Sequence, residues 1–311
     1  MRIPIILGPT AVGKTELLIE LSKKYNFQII SMDSRQVYKL MNIGTAKPTK
    51  EENKLIRHHL IDYVDPEEHY DVNKYLKDSK IIEEKLLSND IVPVYAGGTG
   101  LYADAITKGL VEGIPGNDFV RKTLKNIDQN QSGYLYEILK TVDPVAFTRI
   151  HSNDSKRISR YLEAFMLNGI PLSKLQNNDQ MDKKYQIIFL NRDRKELHDR
   201  ISKRVDSMIN KGLFEEVLKL YKMGYNKSNG SFRTIGYSEV FDYLDGTIGK
   251  EECIELIKRN TRRYARRQII WFRRYADSIQ INLSDTDTKN ILMIFSIIFN
   301  DFWGDNYGRK I

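Results

Sequence analysis

The sequence has 311 residues, 41% hydrophobic and 29% charged, which is ordinary globular composition with enough material for a core and a second lobe. A single cysteine, Cys253, excludes a disulfide framework or a cysteine-ligated metal and fits a reducing cytoplasm. The net charge of +8 is uneven: residues 1–110 hold 15 Lys or Arg against 15 Asp or Glu, and subtraction from the totals of 49 and 41 leaves 34 against 26 beyond them. A surplus placed this way points either to a large polyanionic partner or to solubility charge.

The first element is an apolar strand, Ile3 to Leu7, which ends at Gly8. Residues Gly8-Pro-Thr10-Ala11-Val12-Gly13-Lys14-Thr15 then read G-x-x-x-x-G-K-T and lead into a helix-forming stretch from Glu16. With a strand before it and a helix after it, the pattern predicts a phosphate cradle rather than a plain glycine turn. Backbone N–H groups and the helix N-terminus would meet phosphate oxygens, Lys14 adds a point charge, and the Thr15 hydroxyl can ligate Mg2+. The loop specifies a polyphosphate without saying which one.

A second strand, Phe27 to Met32, closes on Asp33-Ser34-Arg35-Gln36. In a parallel α/β sheet the carboxyl ends of the strands line the ligand crevice, which puts Asp33 beside the phosphate loop. Its carboxylate has three readings: an indirect Mg2+ contact, a general base, or a helix N-cap before the polar turn. Gly44-Thr-Ala-Lys-Pro48 follows as a turn carrying a cation, and the adjacent His58 and His59 lack metal-ligand spacing. Asp90 to Ala96 is a further buried strand that runs into Gly97-Gly-Thr-Gly-Leu-Tyr102. The double glycine suggests close approach of backbone to a ligand, and Thr99 is the turn's one hydroxyl donor. No apolar strand ends in the paired acids expected of an ATP hydrolase.

Residues 114–180 change character: after the break at Ile114-Pro-Gly-Asn-Asp118 come charge-rich helical segments with Arg121, Lys156, Arg157 and Arg160. They predict a helical insertion in the α/β core, whose two parts are 1–113 and 181–311. Gln186 to Leu190 returns as a strand, and Leu197 to Tyr221 as an amphipathic helix pair hinged at Gly212, with Arg200 and Arg204 on one face. Ile291 to Phe299 is too short to span a membrane and predicts a terminal helix packed on the core.

The stretch Arg259 to Tyr275 carries seven arginines, at 259, 262, 263, 266, 267, 273 and 274. At about 100° per residue they share one side, opposite Tyr264, Gln268, Trp271, Phe272 and Tyr275. No acid lies on that face, and like charges three or four apart destabilise an isolated helix. A phosphate backbone, onto which each guanidinium can fork, accounts for it better than solvent does.

Taken in order, the Gly8–Thr15 loop, Asp33-Ser-Arg-Gln36, Gly44-Thr-Ala-Lys-Pro48, His59-Leu-Ile-Asp62 and Gly97-Gly-Thr-Gly-Leu-Tyr102 resemble successive motifs of the bacterial tRNA dimethylallyltransferases. So do Asp143-Pro, Ile150 to Asp154, Arg157-Ile-Ser-Arg160, the Arg200/Arg204 helix with Gly212-Leu213, Ile235-Gly-Tyr237 and Ala265 to Arg273. Small departures occur at Ser152, Tyr161 and Arg233, and residues from Asp285 onward lie outside the resemblance.

The resemblance implies a P-loop NTPase-like parallel sheet core with a helical insertion that grips the anticodon stem-loop of tRNA. It implies a cytoplasmic, monomeric enzyme that moves a dimethylallyl group from dimethylallyl pyrophosphate to N6 of adenosine 37 in tRNAs reading codons that start with U. Adenine N6 is a poor nucleophile, so the reaction needs a base and a stabilised leaving group. Asp33 is then the base, while the Gly8–Thr15 loop, Lys14, Mg2+ on Thr15, and Arg204 would hold the pyrophosphate. By the same analogy Thr99 lies between the base and the pyrophosphate. Asp33, Ser34, Arg35, Gln36, Thr99, Arg121, Lys156, Arg157 and Arg160 would contact the flipped nucleotide or its surroundings, with Arg262 and Arg266 on the RNA backbone. The residues themselves leave two rivals: a metabolite kinase using the same loop, and a non-catalytic RNA-binding module.

Overall fold

A computed structural model gives the architecture and describes residues 2–110, 114, 116–175, 181–285 and 287–303. The chain begins as β1 (Ile3–Leu7), α1 (Lys14–Ser22), β2 (Phe27–Met32), α2 (Lys50–Leu55), β3 (His58–His59), α3 (Val72–Leu87), β4 (Val92–Gly97) and α4 (Gly100–Lys108). Helices follow: α5 (Asp118–Asn130), α6 (Tyr134–Val142), α7 (Pro144–Arg149), α8 (Ser155–Asn168) and α9 (Leu172–Leu175). Then come β5 (Tyr185–Asn191), α10 (Arg194–Asn210), α11 (Leu213–Lys222), α12 (Tyr237–Leu244), α13 (Lys250–Phe272), β6 (Ile279–Asn282) and α14 (Thr288–Trp303).

The six strands form one sheet in the order β3-β2-β4-β1-β5-β6, with every pairing parallel. This is the α/β fold the sequence predicts. Helices cover a parallel sheet on both faces, so its strands are apolar throughout rather than alternating. β1 follows that rule, with Ile3, Ile5, Ile6 and Leu7 all fully buried. Pro4 lacks an N–H but is tolerated because pairing with β4 starts only at Ile5. Two short edge strands went unforeseen. β3 is a histidine pair, and β6 reads Ile-Gln-Ile-Asn, both weak signals beside the long apolar runs.

On one face, α1 and α14 pack over β1, β2 and β4, joining Leu18 and Leu21 to Phe295 and Phe299. Tyr25 meets Phe299 edge-on at 5.3 Å, and the Trp303 indole N–H donates to the Arg2 carbonyl at 3.1 Å. The expected terminal helix therefore closes the core. A second cluster joins α11, α12 and the start of α13 to Val37, Tyr38 and Met41 around Phe232, Tyr237 and Phe241.

The chain clusters into two compact units, Met1–Thr107 with Asp182–Ile311, and Lys108–Met181. The second starts earlier than residue 114. It has its own small core of Leu124, Leu135, Leu139, Ile150, Ile158 and Leu162. Three of its helices, α5, α7 and α8, are capped by side chains: Asn117 accepts from Val120 N–H, Asp143 from Ala146 N–H and Asp154 from Arg157 N–H. Among the described residues no helix is long and apolar enough to cross a membrane.

Candidate active site

The parallel topology brings the carboxyl ends of β1, β2, β4 and β5 to one edge of the sheet, where the loops after them carry the polar residues. After β1, the Gly8–Thr15 loop turns sharply into α1. Ala11 and Gly13 both have positive φ, at 64° and 109°, which only glycine adopts freely, so the Ala11 conformation is held by its surroundings. Two arginines do the holding: Arg192 Nε donates to the Val12 carbonyl at 2.7 Å, and Arg200 Nε to the Ala11 carbonyl at 2.8 Å. Arg200 also forms an ion pair with Glu16 at 3.0 Å. A Cβ on Gly8 would lie 2.7 Å from the Leu190 carbonyl, so the loop needs glycine there to sit against β5.

Lys14 folds back over this loop, and its Nζ donates to the Gly8 and Pro9 carbonyls at 2.7 and 3.1 Å. Burial, and the neighbouring Arg204, lower its ammonium pKa to about 7, while Asp33 and Glu16 pull the other way. Arg204 makes no hydrogen bond or ion pair among the described residues. Burial lowers its pKa too, against the pull of Asp33 and Glu16. Two desolvated cations therefore face the cradle without a bonded carboxylate, the electrostatic complement of a diphosphate.

After β2, the Asp33 carboxylate has two different oxygens. Oδ1 accepts from Arg35 N–H at 2.8 Å and Gln36 N–H at 3.2 Å and so caps the polar turn. Oδ2 makes no hydrogen bond. No helix starts here, so Asp33 is not the expected helix N-cap; it closes a turn with one oxygen and keeps the other open for chemistry. Thr99, after β4, accepts at Oγ1 from Ser34 N–H at 3.3 Å, which ties the two strand ends together and leaves its O–H free to donate. Tyr102 and Tyr264 also sense Asp33: burial first, then this carboxylate, pushes both phenols up.

Gln36 and Arg35 are already engaged: Gln36 Nε2 donates to the Thr45 and Ala46 carbonyls, and Arg35 Nη1 to the Gly230 and Ser231 carbonyls. The double glycine also differs from its expected role. A Cβ on Gly97 would lie 2.3 Å from the Met32 carbonyl, and one on Gly98 would lie 2.1 Å from Gln268 Nε2. The space it leaves belongs to protein, because β2 and α13 press against this turn.

The IPP transferase family model matches residues 36–275, and an isopentenyl transferase model matches residues 1–65. The chain belongs to the IPP transferase family. A tRNA dimethylallyltransferase of Kosmotoga olearia is 47% identical over 308 residues, covering 99% of this chain and 100% of that protein. The Thermotoga maritima tRNA dimethylallyltransferase is 49% identical over 291 residues, 94% of this chain and 95% of that one. Among solved structures, the Bacillus halodurans tRNA isopentenylpyrophosphate transferase superposes with a TM-score of 0.72 at 36% identity, covering 97% and 96% of the two chains. A eukaryotic dimethylallyltransferase acting on tRNA gives 0.82 at 27% identity, covering 96% of this chain and 79% of that one.

In this IPP transferase the other arginines divide into free and committed groups. On α13, Arg259, Arg262, Arg263 and Arg266 make no ion pair among the described residues, and neither does Arg273 just beyond it. Arg267 lies 5.7 Å from the Tyr264 ring centroid. Arg274 departs from the expected acid-free face: it pairs with Asp104 of α4 at 3.1 Å and stacks on Trp271 at 4.1 Å. In the second unit, Arg121 and Arg160 converge on the buried Glu163 at 2.8 and 2.9 Å, and Asn117 N–H donates to the same carboxylate at 2.7 Å. Burial pushes the Glu163 carboxyl up, but the Asn117 N–H and the two guanidiniums win and hold it below the usual range. Arg157 pairs with Asp154 at 3.5 Å, and Lys156 is exposed with no ion pair. Arg192 and Gln268 escaped the sequence reading as parts of the site. Each acts on a loop far away in sequence, so no local spacing could report them.

Proposed function

We propose that this chain transfers a dimethylallyl group from dimethylallyl pyrophosphate to N6 of adenosine 37 in tRNAs that read codons starting with U. One observation carries the reading: a diphosphate cradle after β1, with two basic side chains that no carboxylate bonds, lies close enough to feel the Asp33 carboxylate after β2, which has one free oxygen; β1 and β2 flank β4 in the sheet. The N6 lone pair attacks the terminal allylic carbon, the carbon–oxygen bond breaks, and pyrophosphate departs. Asp33 Oδ2 accepts the N6 proton while Oδ1 stays anchored in the turn. The loop N–H groups, Lys14 and Arg204 stabilise the leaving charge, and the Thr99 hydroxyl donates between base and leaving group.

Magnesium fits this arrangement. No group of three or more His, Cys, Asp or Glu among the described residues could hold a metal alone, and Mg2+ usually binds substrate phosphates and water with only one or two protein oxygens. The Thr15 hydroxyl, in the first turn of α1, would be that oxygen, and the ion would add charge neutralisation at the diphosphate.

The second unit, with Lys156, Arg157 and the Arg121–Glu163–Arg160 cluster, takes the anticodon stem-loop, and Arg262 and Arg266 take RNA backbone. Monomeric action in the cytoplasm, where tRNA resides, completes the reading. The test is incubation with unmodified tRNA and labelled dimethylallyl pyrophosphate, followed by nucleoside mapping. Label in N6-isopentenyladenosine at position 37 supports the proposal, and label only with added ATP, or nowhere, overturns it.

A further inference from the structure

Gln268 lies about one turn before the C-terminal end of α13, on the side away from the arginines, and is buried. Its amide is engaged at both ends by backbone of the two loops that carry the candidate site. Thr10 N–H, in the phosphate loop, donates to Oε1 at 2.9 Å, and Nε2 donates to the Gly98 carbonyl at 2.9 Å, one residue before Thr99. These bonds bridge 258 and 170 residues of sequence. The fit is tight, since a Cβ on Gly98 would collide with Nε2 and one on Gly100 would lie 2.2 Å from Trp271 Cδ1.

We infer that Gln268 is a positioning residue that fixes the spacing between the diphosphate cradle and the Thr99–Asp33 pair, and hence between the allylic donor and the nucleophile. The inference rests on the transfer reaction proposed above. Neither of its bonds touches a reacting atom. Their effect passes through the loops: Thr99 Oγ1 meets Ser34 N–H, and Asp33 Oδ1 caps the same turn, so moving the Gly98 carbonyl moves the base-side groups relative to the cradle. A buried amide is suited to this because one end accepts and the other donates, whereas a hydrocarbon of the same length can do neither. Reacting groups misplaced by about 1 Å can lose about 10²-fold in rate, so a two-loop strut is a rate device.

The test uses full-length protein, tRNA and dimethylallyl pyrophosphate, with two near-isosteric variants. Gln268→Met removes both bonds and is expected to lower kcat by about 10²-fold, with little change in the KM for tRNA because the arginine side of α13 is untouched. Gln268→Glu is the sharper probe. Ionised, its carboxylate still accepts from Thr10 N–H but opposes the Gly98 carbonyl, while protonated it restores both bonds. Its kcat relative to wild type at the same pH is therefore expected to rise as pH falls between about 8 and 5. The ratio for Gln268→Met should stay flat. A pH-independent ratio for Gln268→Glu, or a Gln268→Met variant with wild-type kcat, overturns the inference while wild-type transfer stands. A wild type that transfers nothing overturns the proposed reaction, and this inference with it.

Discussion

Arg200 and Arg204 lie one turn apart on α10 and have opposite commitments: Arg200 is bonded to the Ala11 carbonyl at 2.8 Å and to Glu16, while Arg204 has no bonded partner. The first holds the shape of the Gly8–Thr15 loop, and the second is the one proposed to meet the diphosphate.

Removing each should therefore read out differently. Arg200→Ala lets Ala11 relax from its left-handed conformation, so it should lower thermal stability and weaken diphosphate binding together. Arg204→Ala removes a desolvated charge with no partner and should leave the melting temperature unchanged or raised. Its transfer rate should still fall by about 10²- to 10³-fold, as for a lost donor to a developing anion. Melting curves beside single-turnover rates check this; a destabilised Arg204→Ala with normal chemistry would reverse the assignment.

Lys14 makes binding pH-dependent. Its pKa is lowered to about 7, so above that pH the free enzyme holds it increasingly neutral. A bound diphosphate raises its pKa, so binding takes up a proton above about pH 7 and none well below it. Affinity for dimethylallyl pyrophosphate should fall by up to about tenfold per pH unit on that alkaline side. Calorimetry in two buffers of different ionisation heat measures the uptake. Lys14→Ala should abolish it and cripple diphosphate use while leaving stem-loop binding largely intact.

The free arginines of α13 and the paired Arg274 make an internal control. Arg262→Ala with Arg266→Ala should weaken tRNA binding and flatten its salt dependence by about 0.7 to 0.9 log units per lost phosphate contact. Arg274→Ala breaks the bond to Asp104 and the stack on Trp271, so stability should suffer more than the salt slope. Equal slopes for wild type and the double variant would make the arginine face plain surface.

These residues also show what a linear reading can carry. The phosphate loop was legible because strand, loop and helix are contiguous, and Asp33 because it ends an apolar strand in a sheet whose polarity fixes the crevice. The split between Oδ1 and Oδ2 was not legible, since it depends on the turn from Ser34 to Gln36 closing back on the carboxylate. Arg274 was read with its helix neighbours because Asp104, its partner, comes from α4. Arg160 and Glu163 stand three apart on α8, so that pair was available from spacing, whereas the convergence of Arg121 on the same carboxylate was not. The glycines at 97 and 98 were read as leaving room for a ligand, but what approaches them is Met32 and Gln268, from distant strand and helix.

The account turns on Asp33 as the acceptor of the N6 proton, and a Mg2+ titration of Asp33→Asn tests that most directly. The amide keeps an oxygen to accept from Arg35 and Gln36 N–H, so the turn persists while the base is lost. Single-turnover transfer should fall by about 10²- to 10⁴-fold, with dimethylallyl pyrophosphate affinity little changed and no recovery as Mg2+ is raised. A rate restored to near wild type by excess Mg2+ would make Asp33 a metal partner and contradict the account.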